Sequence, residues 1–293
     1  MTESNEGPIG FIGLGLMGAP MARNLGRAGI DLVIHNRSRP IVDALAAEGM
    51  RPAPSPRAVA AAADAVILML TDTAAVEAVL LGDEGVLAGL RAGALVIDMG
   101  TTKALATRDF AGRTAAAGGA YVDAPVSGGE VGAKAATLTI MAGGAAAAVE
   151  RAMPLLRLLG AAVTHVGPVG AGQVAKSANQ AIVGLTIGAV AEALTLAKKA
   201  GADPAKVREA LMGGFAASRI LELHGQRMID GTFAPGGRVT TQRKDVADAL
   251  ELAAAVGAEL PALKLSLGLW DDLIAAGHGG LDHSALIKRI DPA

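Results

Sequence analysis

The hydrophobic pattern of this chain changes rhythm partway along its length. Up to about residue 168, short apolar runs alternate with stretches of helical spacing. The runs predict strands over 9–12, 31–35, 65–70, 94–98, 120–126, 138–141 and 163–166, with helices between them, including 17–28 and 40–48. Several of the runs carry no polar face, so they suit strands buried on both sides, and strands alternating with helices imply a parallel sheet with helices on both faces. Beyond Gly172 the alternation stops. Helices are predicted over 173–200, 204–212, 218–229, 244–256, 261–276 and 284–290, punctuated by Gly201, Gly213-Gly214, Gly231, Gly257 and Gly277-His278-Gly279-Gly280. The reading is an α/β domain over 1–168 followed by an all-α domain over 169–293.

The helix over 173–200 spans roughly 40 Å and is expected to act as a spine joining the halves. Gly184 and Gly188 lie four apart on it and allow another backbone to come close, either in the core or at a subunit contact. Its most apolar stretch, 181–191, falls short of the roughly 20 residues a membrane span needs, so no membrane partner is expected.

With 293 residues, the chain suits two ordinary domains. Aromatics make up only 2% of it, so the core must be built from Ala, Val, Leu and Ile. A net charge of -2 provides no basic field for nucleic acid. The absence of cysteine excludes disulfides and thiolate chemistry. The first seven residues are acidic and polar, and the apolar run after them is short and ends in glycines, unlike a secretory signal. A cytoplasmic location is expected.

The first predicted strand feeds Gly13-Leu14-Gly15-Leu16-Met17-Gly18 and then a helix, the context in which a G-x-G-x-x-G turn binds a dinucleotide. Gly13 would make the tight turn, Gly15 would admit a pyrophosphate, and Gly18 would let helix and strand pack closely. This makes the first domain Rossmann-type. The second strand ends in His35-Asn36-Arg37-Ser38, with no acid for a ribose 2'-hydroxyl. Asn36, Arg37 and Ser38 suit a 2'-phosphate instead, so NADP(H) is favoured and NAD(H) remains possible, although Arg37 equally suits stacking on adenine or a solvated position. Met69 and Leu70 close a later strand on the ligand-binding edge of the sheet. Thr101 follows another there and is the candidate contact near the nicotinamide ribose. Thr102 reads as a helix N-cap.

Asp123-Ala-Pro125-Val-Ser127-Gly128-Gly129 ends a strand in one hydroxyl and two bare backbones. Such a turn either points its amides and hydroxyl at a carboxylate or is a glycine turn without a ligand. Gly170-Ala-Gly172 opens the long helix, on which Lys176 and Asn179 share one face. They read either as a proton donor with an orienting neighbour in an apolar wall or as a lysine snorkelling from a core helix. The histidines at 35, 165, 224, 278 and 283 lack a paired helical spacing, so no metal is expected, and His283 reads as part of a substrate-closing segment or a helix start.

Taken in order, Phe11-Ile-Gly13-Leu-Gly15-Leu-Met-Gly18, Asp123-Ala-Pro-Val-Ser-Gly-Gly, Gly170-Ala-Gly172 with Lys176 and Asn179, and Lys244-Asp245 resemble the β-hydroxyacid dehydrogenase family. The resemblance covers nearly the whole chain. It implies a helical C-terminal domain like that of 6-phosphogluconate dehydrogenase and hydride transfer between NAD(P)H and a small hydroxyacid or semialdehyde. By the same resemblance Lys176 is the catalytic lysine, Asn179 orients the substrate, Ser127, Gly128 and Gly129 hold its carboxylate, and Lys244 approaches the cofactor. The apolar, glycine-notched helical half suggests a self-association surface, so a homo-oligomer, dimer or tetramer, is expected. Residues 210–221 and 281–286 are most similar to the branch that interconverts 2-hydroxy-3-oxopropionate and D-glycerate. Another short semialdehyde reductase, such as a 3-hydroxyisobutyrate dehydrogenase, is the alternative, and a scaffold that binds NADP without turnover is the remote one. Three positions depart from the family pattern: Ala136 replaces a usual glycine, Gly100-Thr101-Thr102 a serine pair, and Arg243 an apolar residue.

Overall fold

The computed structural model describes residues 7–292; most of the polar leading segment, residues 1–6, and residue 293 lie outside it. The chain divides into two compact units after Lys176.

The first unit contains β1 (Ile9–Ile12), α1 (Gly18–Arg27), β2 (Leu32–His35), α2 (Arg39–Ala47), β3 (Arg51–Pro52), α3 (Pro56–Ala62), β4 (Ala65–Leu68), α4 (Thr73–Leu81) and α5 (Val86–Gly89). It continues through β5 (Leu95–Asp98), α6 (Ala104–Ala116), β6 (Ala120–Asp123), β7 (Val126–Ser127), α7 (Gly129–Ala135), β8 (Leu138–Gly143), α8 (Ala146–Arg157) and β9 (Gly160–Gly167). The strands form one sheet in the order β3-β2-β1-β4-β5-β6-β8-β7, with β9 paired to β8. Strands β1 to β6 run parallel, and Ile9 lies opposite both Leu32 and Ala65. Successive side chains go to opposite faces. Phe11, Ile34, Ile67 and Ile97 enter one core cluster, and Ile12, Val33, Val66 and Val96 the other. Both faces are therefore buried, as the unbroken apolar runs require.

The sheet departs from the expected all-parallel form at one edge. The single strand predicted over 120–126 is two, β6 and β7, because Pro125 lacks an N–H for the ladder. Both pair antiparallel with β8. The core of the sheet is parallel and its far edge mixed.

The second unit takes up most of α9 (Ala171–Lys199), then α10 (Pro204–Met212), α11 (Arg219–Asp230), α12 (Val239–Ala255), α13 (Pro261–Leu273), a wide turn Ile274–His278, a tight turn His283–Leu286 and α14 (Ile287–Ile290). Ile187, Val190 and Leu194 of α9 pack with Leu221, Val246, Trp270 and Leu286. A Cβ on Gly184 would meet Gln242 and Val246, each at 3.1 Å, so α12 is the close neighbour that this glycine admits. Helix α12 begins at Val239 rather than at 244, where Thr240 and Thr241, poor helix formers, hide its start from a reading by propensity. Helix α13 passes without a break at Leu273 into the wider turn Ile274–His278, so helical backbone reaches 276 as expected, and Gly277 has φ +84°. Helix α9 holds an 18-residue window of mean hydropathy 1.6, so by length and composition it is able to cross a membrane, contrary to the shorter sequence estimate. Half of that window is buried.

Candidate functional site

The glycine turn between β1 and α1 has the three-part geometry that a dinucleotide needs. Gly13 sits at φ +99°, and a Cβ there would lie 2.3 Å from the carbonyl oxygen of Met69. A Cβ on Gly18 would lie 1.8 Å from the Gly13 oxygen, so helix and turn touch. At Gly15 a Cβ would meet nothing within 4 Å, which leaves open space above the start of α1. No side chain caps that helix, so its positive dipole end is not offset by a capping side chain at this space. A cavity of about 690 Å³ opens here, lined by Leu14, Gly15, Leu16, Asn36 and Ser38 among others. The residues present fit a dinucleotide: a bare Cα where the pyrophosphate would approach, and a helix start to receive its charge.

Asn36 is partly committed within this loop. Its Oδ1 accepts the N–H of Leu14 at 3.0 Å and its Nδ2 donates to the oxygen of Ser38 at 3.2 Å. Arg37 is exposed and has no ion pair among the described residues. Leu16 is exposed and Met17 half-buried, while Met69 and Leu70, half-buried, follow β4 and back the turn through Gly13.

A second cluster forms where β5 and β6 end. The Asp123 carboxylate, fully buried, accepts the N–H of Gly170 at 2.7 Å and that of Gln173 at 2.9 Å, and so caps the start of α9. Burial pushes Asp123 above the usual carboxylate range, although the amide bonds oppose it. Asp98, also fully buried, accepts the Gly100 N–H at 3.0 Å, the Thr102 hydroxyl at 2.7 Å and the Tyr121 hydroxyl at 3.1 Å. Burial is the main cause that lifts its carboxyl to about 6. The N-cap expected at Thr102 falls on Lys103 instead, because the Thr102 hydroxyl is spent on Asp98. Lys176 lies in the second turn of the capped helix and is only 7% exposed. Ser127 is half-buried at the end of β7, and Gly128 and Gly129 follow at φ +132° and +60°, a pair of conformations that glycine alone adopts readily.

In the helical unit, a buried chain of polar side chains links two of the expected site residues. Asn179 Nδ2 donates to Gln180 Oε1 at 2.8 Å, and Gln180 Nε2 donates to Asp245 Oδ2 at 2.5 Å. Lys244 Nζ lies 2.9 Å from Asp245 and 3.3 Å from Asp248. Burial pulls the Lys244 ammonium down, but the two carboxylates outweigh it and hold its pKa above the ordinary value. Sequence reasoning missed Gln180 and gave Asp245 no role of its own, although each adjoins an expected site residue. Arg243, one of the departures from the family pattern, pairs with Asp271 at 2.7 Å.

The helical unit also gathers His224, Asp282 and His283 within 4.8 Å of one another, a proximity hidden by sequence distance. The two Nε2 atoms are 3.2 Å apart. Asp282 accepts from Ser284 through its N–H and hydroxyl, from the N–H groups of Gly236 and Gly237, and from Arg227 at 2.8 Å. Burial opposes ionisation there, but His224 with its Nδ1 3.6 Å away, the bonds from Ser284 and the charge of His283 hold the carboxyl well below the usual range. Both Asp282 oxygens are committed and a guanidinium stands beside them, so the cluster ties α11 to the turn before α14.

A dinucleotide cradle on a doubly covered sheet, followed by a helical unit, defines an NAD(P)-dependent oxidoreductase. Residues 8–167 match the family described as the NAD binding domain of 6-phosphogluconate dehydrogenase, and residues 170–290 that of the NAD-binding domain of NADP-dependent 3-hydroxyisobutyrate dehydrogenase. The chain is 47% identical to the 2-hydroxy-3-oxopropionate reductase of Escherichia coli, over 97% of both chains. It is 37% identical to the 2-(hydroxymethyl)glutarate dehydrogenase of Eubacterium barkeri, over 96% of this chain and 93% of that one. Among solved structures, a 3-hydroxyisobutyrate dehydrogenase of Mycobacterium tuberculosis with L-serine has a TM-score of 0.88 at 32% identity, covering 97% of this chain and 99% of its own. The chain belongs to the β-hydroxyacid dehydrogenase family.

Proposed function

We propose that this protein reduces 2-hydroxy-3-oxopropionate to D-glycerate, reversibly, with NADPH favoured over NADH. The observation that carries the reaction type is the burial of Lys176 in the second turn of a helix whose start Asp123 caps. The substrate rests on the 47% end-to-end identity to the E. coli reductase.

Gly13 to Gly18 and the start of α1 hold the pyrophosphate, Asn36, Arg37 and Ser38 the adenosine end, and Met69, Leu70 and Thr101 the nicotinamide half. Bound NAD(P)H supplies the hydride that the aldehyde carbon accepts. Lys176 stabilises the alkoxide oxygen as negative charge develops on it and gives it a proton from Nζ. Ser127, Gly128 and Gly129 receive the substrate carboxylate on a hydroxyl and backbone amides, which fixes the approach of the carbonyl. Asn179 orients the substrate, its amide steadied by Gln180, and Lys244 faces the cofactor with its charge kept by Asp245 and Asp248. A cytoplasmic location and a dimeric or tetrameric assembly belong to the same reading; Ile182 and Leu196, 67% and 71% exposed on α9, are apolar surface that a second copy would cover.

Steady-state kinetics with tartronate, methylmalonate and succinate semialdehydes, each with NADPH and NADH, test the substrate. Preference for a semialdehyde other than the first refutes the assignment, and points to a 3-hydroxyisobutyrate dehydrogenase or another short semialdehyde reductase. Lys176→Ala tests the mechanism. Turnover falls by about three orders of magnitude while NADPH still binds; unchanged turnover removes the proton-donor role.

A further inference from the structure

One side chain, Gln173, joins the loop after β5 to the first turns of α9. It is 1% exposed. Its Nε2 donates to the Gly100 oxygen at 2.8 Å and its Oε1 accepts the Thr102 N–H at 3.0 Å. The amide thus grips the loop on both sides of Thr101. Each end of the grip is anchored in turn: Asp98 accepts from Gly100 N–H and the Thr102 hydroxyl, and Asp123 accepts from the N–H of Gln173 itself. Lys176 stands three residues further along the same helix, on the same face. A hydrogen-bonded helix turn is stiff, so the position of the lysine follows the position of the grip.

We propose that Gln173 is a positioning residue that sets the proton donor Lys176 in register with the loop presenting Thr101. The inference rests on the roles given above to Lys176 and Thr101. The chemical step is sensitive to such a register, since a shift of about 1 Å is able to cost roughly a hundredfold in rate. Gln173 takes the backbone of both Gly100 and Thr102, while Asp98 beneath the loop takes the Gly100 N–H and the Thr102 hydroxyl. An apolar residue of equal length would fill the space but leave a buried N–H and a buried carbonyl without partners.

The test compares Gln173→Met and Gln173→Asn with the parent and with Leu80→Ala, a core truncation on α4 away from the site. All three variants lower Tm by several degrees. In Gln173→Met kcat falls about tenfold to a hundredfold, while KM for the semialdehyde changes several times less. Gln173→Asn keeps the amide but lacks the reach for both bonds; it shifts kcat in the same direction and carries the test if the methionine variant does not fold. Leu80→Ala keeps the parental kcat. A parental kcat in folded Gln173 variants overturns the proposal and leaves Gln173 a stability residue. A parent protein that turns over none of the semialdehydes defeats the functional reading instead, before any variant is compared.

Discussion

Ala136 ends α7 with φ +56°, the one non-glycine residue with positive φ among the described residues. The sequence marks this position as a departure from a usual glycine, but only the backbone supplies the reason: a left-handed C-cap, where a Cβ crowds the following carbonyl. Ala136→Gly is therefore expected to stabilise the first unit by about 1 kcal/mol and to raise its Tm by about 2 to 4 °C, as calorimetry will show. Arg37 is the opposite case, legible as a residue and silent as a contact, since its partner would be a cofactor phosphate. Arg37→Ala should raise KM for NADPH much more than KM for NADH; equal changes would remove the 2'-phosphate assignment.

At the scale of elements, α9 shows why some glycines are dispensable and others are not. A Cβ on Gly172 would lie 2.3 Å from the Met141 oxygen and 2.8 Å from the Asp123 oxygen, both backbone atoms that cannot swing aside. A Cβ on Gly188 would have its nearest neighbour at 3.9 Å. Gly172→Ala should accordingly cost about 1 to 3 kcal/mol and lower kcat, because the clash displaces the capped turn that leads to Lys176. Gly188→Ala should be neutral or stabilising by up to about 1 kcal/mol through helix propensity. Thermal shifts of the two variants, measured side by side, check the contrast; similar losses would mean that the close approach at Gly172 is not what makes it necessary. The sequence announced the helix and its glycines alike, yet it gave no means of ranking them, because the clashing atoms belong to β6 and β8.

At the scale of the whole molecule, the two units should respond oppositely to acid. In the α/β unit Asp98 is lifted to about 6 and Asp123 is raised too, so the folded form takes up their protons before the unfolded chain does. Their ionisation weakens this unit as pH rises through about 6, and that stability returns as pH falls toward the ordinary aspartate value of about 4. In the helical unit Asp282 is held well below that value, so its contribution is complete above about pH 4 and is lost on further acidification. Calorimetry between about pH 7 and pH 3 should show the α/β transition holding or rising at first and the helical transition falling last. Asp98→Asn should flatten the first trend, and a parallel decline of both transitions from neutral pH would contradict the assignment.

The sequence by itself determined the change from alternating strands and helices to helices alone, the dinucleotide turn, and the identity of Lys176, Asn179 and the Ser127 loop as candidates. Periodicity and turn chemistry act over a few neighbouring residues, and are readable without knowing what packs where. The tertiary structure alone decided what holds those candidates. Gln173 reaches Thr102 across 71 positions, Asp123 reaches Gly170 across 47, and Gln180 reaches Asp245 across 65. Strand order and helix packing choose such partners, and a buried polar group takes whichever donor or acceptor the fold brings to it.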